Sequence, residues 1–556
     1  MDTRRLILLF IFGFSVLMLW EGWQKEQRPR PAPQAAAPVP EAGPASGGVP
    51  AAAVPAATAQ PAAASAVPGA AGVARKGEKI VVRTDLVIAE IDTLGASLKR
   101  LELLKHKESK DSSKDLVLLG AEHLYEAQSG LTGEGPNHRT LWSAKPGEYA
   151  LAPGSDVLEI PLTASGPGGL EVRKTYRFHR DSYLVEVVLE IKNGGSSPAA
   201  PAAYYQLTHD GKSSTDANAV AQTFGAQSFY GFTVYTEEKK FQKVHPAEID
   251  KGKADYVKEA PDGWLAYVQH YFVAGWIPPA KGPRSFEMLK RDDGSYAGYV
   301  RLPIGTIEPG ASRAVTVSLY AGPQEKNRLA AVAPGFDLVV DYGWLTIVAW
   351  PLFWLLEKFH SLSGNWGVAI ILLTVTIKVV FFPLSAASYK SMAKMKLITP
   401  RMQKIRETYE HDRQKMNQAM MELYRTEKIN PLGGCFPILV QIPVFIALYW
   451  VLLAAIELRH APFVLWIQDL SALDPYYVLP ILMTVTMVVQ TRLNPVPPDP
   501  VQAKVMQFMP FIFSVFFFFF PAGLVLYWLV NNILSILQQW QIQRMFDRDK
   551  PAHARR

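Results

Sequence analysis

The sequence predicts a multi-span α-helical membrane protein, one N-terminal anchor plus a five-helix core, with a large antiparallel β-sandwich domain held outside the cytoplasm. Three observations carry this expectation. Apolar residues gather in one block near the N-terminus and in a series of blocks after residue 340. Between these blocks, residues 78–323 alternate apolar and polar side chains with the period of strands. The loops that join the late apolar blocks differ in charge from one side to the other. The 556 residues are 49% hydrophobic and 19% charged, with a net charge of +7 and one cysteine, Cys435. A single thiol excludes an internal disulfide and any multi-cysteine metal centre.

The elements follow in order. Leu6–Trp20 is an apolar run behind Arg4 and Arg5, which fits a cleaved signal peptide or a permanent anchor. No small-x-small cleavage pattern closes the run, so residues 1–24 are expected to stay as an uncleaved transmembrane anchor. Residues 25–77 are dominated by Ala and Pro and have little to bury, so they are expected to form a disordered tether. In residues 78–325, Val185, Val187, Leu189 and Ile191 alternate with Glu186 and Glu190. Val87, Ala89 and Ile91 repeat the pattern, as do Val315, Val317 and Leu319. Turn signals such as Asn193-Gly194-Gly195 and Asp293-Gly294 divide these runs, as in a β-sandwich.

Residues 336–360 place Leu345, Val348, Leu352, Leu355 and Phe359 at helical spacing, with tryptophans around them. The clean apolar run is shorter than a bilayer crossing, so an amphipathic helix in the interface is expected. Five spans are expected near Trp366–Phe382, Cys435–Ile456, Tyr476–Gln490, Met506–Phe520 and Gly523–Trp540. The first belongs to segment 361–383, and the other four lie within 433–545. Residues 384–432 form a basic helical hairpin with a kink at Pro400 and a turn near Asp412, and residues 546–556 form a basic tail.

Parity and charge orient this layout. The hairpin carries ten basic residues against five acidic ones, and the C-terminal stretch from Arg544 five against two. The loop Glu457–Pro475 carries three acidic residues against Arg459 alone. The positive-inside rule then places the hairpin and both termini in the cytoplasm and the β-domain on the far side.

Lys378 stands inside the first core span. A cation at the centre of a spanning helix costs roughly 2.5–3.5 kcal/mol. The five spans contain no Asp or Glu, so the chain offers no intramembrane counter-ion. Three readings follow. The amine snorkels to the headgroups, it faces a water-filled cavity, or its partner arrives with another molecule. Thr374 lies one turn earlier on the same face. Other spans contribute Gln441, Thr484, Thr486, Ser514, Asn531 and Asn532. Any one of these is ordinary helix–helix glue. Together with an unpaired lysine they describe a polar concavity that would hold water and hydrogen-bond chain that is not yet helical.

In the hairpin, Met392, Met395 and Met402 share one helical face, and Met416 and Met420 another. These stripes either pack on each other or offer a Met-rich surface that receives varied hydrophobic partners. The chain has no GxxxxGK[ST], no dinucleotide fingerprint after a strand, no HExxH and no GxSxG. No catalytic residue, metal or cofactor is expected, and no sequence-specific nucleic-acid binding. Two rival classes remain, a small-solute transporter and an anchored carbohydrate enzyme. Transporters, however, tend to show paired repeats and coupled ionisable groups.

Asn430-Pro431-Leu432-Gly433-Gly434-Cys435-Phe436-Pro437, Gln441-Ile442-Pro443-Val444-Phe445, Asp474-Pro475-Tyr476-Tyr477 and Pro521-Ala522-Gly523-Leu524-Val525-Leu526-Tyr527-Trp528 resemble, colinearly, the signatures of the YidC membrane protein insertases. The resemblance spans the whole chain. It implies a bacterial inner-membrane protein with a periplasmic β-supersandwich and a groove open to cytoplasm and lipid. It also implies nascent membrane proteins as substrates, handled alone or with the Sec translocon, with ribosomes or targeting factors at the cytoplasmic face. By position, Lys378 supplies the groove's charge, Thr374 is its neighbour, and Tyr527 and Trp528 are the aromatic pair of the last span. The family pattern leads one to expect arginine where Lys378 stands. Lysine keeps the charge and loses the planar fork.

Overall fold

The computed structural model describes residues 77–109, 111–213, 229–427, 436–494 and 500–548. The anchor, the tether up to residue 76, Asn430–Cys435 and the end of the tail lie outside these residues.

Among the described residues, 18 strands form a ten-stranded and an eight-stranded sheet. The pairing is antiparallel with one correction to the expectation: Lys79–Arg83 pairs in parallel with Gly147–Ala150 at an edge of the larger sheet. An antiparallel partner can follow directly across a tight turn, whereas this strand arrives only after a long excursion, which leaves parallel pairing open to it. Strand Leu184–Asn193 sits between Leu170–His179 and Ser312–Pro323. Val185, Val187, Leu189 and Ile191 are buried, and Glu190 is exposed on the opposite face. The core between the sheets is rich in large aromatics, with Trp142, Trp264, Trp276, Tyr176 and Tyr205 almost fully buried.

The C-terminal half is helical. Its helices are α1 (Thr346–Ser363), α2 (Trp366–Val380), α3 (Phe382–Thr408), α4 (Arg413–Thr426), α5 (Phe436–Ala454), α6 (Val478–Leu493), α7 (Pro500–Phe517) and α8 (Ala522–Arg548). Helix α1 buries Ala349, Phe353 and Leu356 and exposes Ile347, Trp350, Trp354 and Leu362. It packs on α2 and α5, while α8 packs on α2, α3 and α6. No single described helix is long and apolar enough to cross a membrane by itself, whereas α2 and the first half of α3 reach that length together, bent by 65°.

The first span therefore ends earlier than its apolar run suggests. Phe381 leaves the helical region with φ −89° and ψ 6°, and α3 starts at once in a new direction. Pro383, which has no backbone N–H to give, fits the first turn of the new helix. Helix α3 continues through Pro400 without a break. Asp412 caps α4, accepting hydrogen bonds from the amides of Gln414 and Lys415 at 3.1 and 3.0 Å.

Short polar devices fix the ends of these helices. Asn365 caps α2 through the amide of Val368 at 3.1 Å. Gly367 leaves room for the Phe463 ring, which lies 2.0 Å from where a Cβ would stand. Asp474 is buried and accepts from Trp466 Nε1 at 3.0 Å and from the amides of Tyr476 and Leu479 at 3.1 and 2.7 Å. One carboxylate thereby ties the loop to the start of α6. The Pro521-Ala522-Gly523 turn docks on the same loop, its amides at 522 and 523 donating to Ala472 and Leu470 carbonyls at 2.7 and 2.8 Å.

The β-domain meets the helical half through Lys243 and Asp341, through Asn327 and Glu357, and through Arg459, which donates to Ser109 Oγ at 2.9 Å. Glu457 lies at this junction. Burial, helped by the charges of Glu325 and Glu357, raises its carboxyl to about 7.

Candidate functional site

Lys378 lies on the last turn of α2 and is 7% exposed. Its Nζ donates to Ser535 Oγ on α8 at 2.7 Å. The Ser535 hydroxyl in turn donates to the Asn531 carbonyl at 2.7 Å, one turn back along α8. Because α3 turns back from α2, Tyr389 also reaches this point and donates to the Ser535 carbonyl at 3.5 Å. On the other side of Asn531, Gln441 of α5 donates to Asn531 Oδ1 at 3.1 Å. Three helices, α2, α3 and α5, thus converge on one short stretch of α8.

The amine is buried and directed to α8. A hydrogen bond from a charged donor is worth about 1.5–3 kcal/mol, against the roughly 2.5–3.5 kcal/mol cost of the buried cation. Among the described residues, Ser535 takes one of the three donors of the ammonium.

Thr374 is buried on the same face, and its hydroxyl donates to the Ile370 carbonyl at 2.7 Å. That bond is internal to α2 and leaves Thr374 a small polar wall beside the lysine. Asn532 turns to α6 and donates to Thr486 Oγ1 at 3.4 Å. Gln539, one turn beyond Ser535, donates to the Leu493 carbonyl at 3.3 Å and to Asn494 Oδ1 at 3.2 Å, closing the end of α6. The Oε1 atoms of Gln490, Gln538 and Gln539 are buried without a partner among the described residues.

Tyr527 is 1% exposed and Trp528 partly buried. Phe445 stacks on both, at ring separations of 6.2 and 5.0 Å, and Phe517 and Phe520 pack edgewise on Trp528. The pair forms an aromatic seam between α5, α7 and α8, two turns from Ser535. In the hairpin, Ile398 and Met402 are buried against Met395, Met420, Leu423 and Tyr424. The two stripes therefore pack on each other, with Met392 and Met416 partly exposed and Met421 largely exposed.

Ser535, Tyr389, Gln538 and Gln539 were not singled out by the sequence. The signal for two of them is present, since Ser535 and Gln538 follow Asn531 at i+4 and i+7 of an otherwise apolar helix.

A polar array around a buried cation, set among apolar helices joined to a β-sandwich, is the arrangement of a membrane protein with a large extramembrane domain. The family described as YidC periplasmic domain matches residues 79–355, and that described as 60Kd inner membrane protein matches 358–550. The chain is 53% identical over 549 residues to the membrane protein insertase YidC of Dechloromonas aromatica, covering 98% of each. It is 52% identical over 564 residues to that of Methylobacillus flagellatus, covering 100% of each. A crystal structure of an active YidC insertase with its first transmembrane domain resolved aligns with 84% of this chain and 92% of that one, at 19% identity and a TM-score of 0.38. The chain belongs to the YidC membrane protein insertase family.

Proposed function

We propose that this chain is a membrane protein insertase that moves nascent hydrophobic segments into the inner membrane, by itself or together with the Sec translocon, and chaperones their folding there. The observation that carries the mechanism is the buried Lys378 ammonium, which has a single hydroxyl for a partner among the described residues and lies on a four-helix polar convergence. The hairpin, basic and presenting Met392, Met416 and Met421 at its surface, receives the substrate in the cytoplasm. Lys378 then draws an acidic or polar translocating segment into the polar array, where Gln441 and Asn531 offer hydrogen bonds to unpaired backbone. The apolar segment leaves past the Tyr527–Trp528 seam into lipid. No nucleotide is consumed. The site lowers the cost of bringing polar groups into the bilayer, and the final burial of the substrate drives the process.

Insertion into vesicles containing the purified protein tests this reading. Lys378→Glu is expected to slow substrates with acidic translocated tails about ten-fold, the equivalent of roughly 1.4 kcal/mol of transition-state attraction. Substrates with uncharged tails should slow much less. Equal rates for wild type and variant on the acidic substrates would remove the electrostatic step.

A further inference from the structure

The polar array continues past Lys378 along α8 in a direction the lysine does not use. Asn531, Ser535 and Gln538 lie on one helical face, and Gln538 follows Ser535 by about 4.5 Å of helix rise. Its Oε1 is buried and has no partner among the described residues, a state that costs about 1–3 kcal/mol for a buried acceptor. The facing helix does not relieve it. Asn532 pairs with Thr486, and Gln539 with Leu493 and Asn494. These bonds fix α6 and α8 in a parallel register and occupy the neighbouring side of α8. Among the described residues, an unpartnered amide acceptor at Gln538 thus follows, about one helical turn along α8, the Ser535 hydroxyl that Lys378 bonds.

An extended polypeptide presents both a C=O and an N–H on each edge, with a rise of about 3.3 Å per residue. An extended chain laid along this face of α8 presents such groups in turn to the Ser535 level, where Lys378 is bonded, and to the Gln538 amide. A folded helix has already spent these backbone groups and would gain nothing from either.

We propose that Gln538 is a positioning residue that accepts a main-chain N–H of the inserting chain while that chain is still extended, on the cytoplasmic side of Lys378. This rests on the insertase reading above and adds a sequence-independent contact to its electrostatic one. A substrate arriving from the hairpin side meets Gln538 before Lys378.

The test uses the full-length protein with a photo-crosslinking residue at 538, 378 or the lipid-facing 537, and nascent chains stalled at increasing lengths. Crosslinks are expected at 538 with shorter chains than at 378, with 537 giving few. In parallel, Gln538→Met, which keeps the shape and removes the acceptor, is expected to slow insertion about five-fold, equally for acidic and uncharged substrates. Gln538→Glu, which restores an acceptor, should recover most of the uncharged-substrate rate. A purely structural role would not give this rescue or the crosslinking order. Crosslinks at 378 without any at 538, with Gln538→Met at the wild-type rate, would overturn the proposal and leave the Lys378 reading standing. No crosslink at either position would remove both.

Discussion

Among the described residues two lysines are buried, one in each half, and they are solved differently. Lys174, in the β-domain, is 0% exposed, and its ammonium donates to the carbonyls of Ser129, Ala96 and Gly95 at 2.9, 3.0 and 3.3 Å. The indole of Trp142 lies 5.0 Å away and adds a cation–π contact. Lys378, among the helices, is also buried but among the described residues bonds a single hydroxyl. Three acceptors saturate the first ammonium, and one leaves the second with capacity to spare. A saturated buried charge is a structural staple, whereas an unsaturated one is available for a guest. That distinction assigns roles to two residues of the same type without appeal to their neighbours' names.

Lys174→Met is the strongest way to break the comparison on the structural side. Carbonyls now bonded to the ammonium would lose a donor inside a dry core, at about 1–3 kcal/mol each, partly offset by no longer burying a charge. We expect a loss of about 2 kcal/mol in β-domain stability by denaturant unfolding of the full chain, with insertion per folded molecule unchanged. An unchanged unfolding midpoint would show that the saturated bonds contribute nothing.

A smaller effect sharpens the same contrast through pH. Burial lowers the Lys174 ammonium from its ordinary 10.5 to about 7. Between these values the unfolded chain holds a proton that the folded domain has released. Stability therefore rises as pH increases from about 7 towards 10.5, and levels off below about 7. Melting of the β-domain followed from pH 6.5 to 9.5 should move upward in the native chain, and this component should vanish in Lys174→Met. A downward slope lost in the variant would reverse the assignment.

The two lysines also show what was legible in the sequence. Lys378 was conspicuous because an apolar run with one charge has no bland period to hide in. Lys174 was hidden by alternation itself. Leu170, Val172, Lys174, Tyr176 and Phe178 all occupy the inward face of one strand, so period two was signalling a buried cation. Strands such as Leu170–His179 and Leu184–Asn193 were readable because one face is more exposed than the other, which writes burial into the sequence as alternation. The partners of Lys378 were harder to see. Ser535 looks like any small residue at a helix contact. Tyr389 comes close only because the chain bends by 65° after Val380, which no periodicity encodes. Gln538 and Gln539 lie near the end of an apolar run, where polar residues ordinarily mark the exit into water. The methionine stripes were visible, but whether they faced each other or a partner depended on the turn at Asp412, and the structure packs them together.

The central claim is that Lys378 is held for a substrate and not for the fold. Its most direct test pairs Lys378→Met with Lys174→Met, each measured for thermal unfolding and for insertion rate per folded molecule. The account predicts that Lys378→Met melts with the native protein and inserts acidic-tailed substrates about ten-fold more slowly, while Lys174→Met melts lower and inserts normally. If Lys378→Met melts as low as Lys174→Met and its folded fraction inserts at the native rate, Lys378 is a staple too, and the account is contradicted.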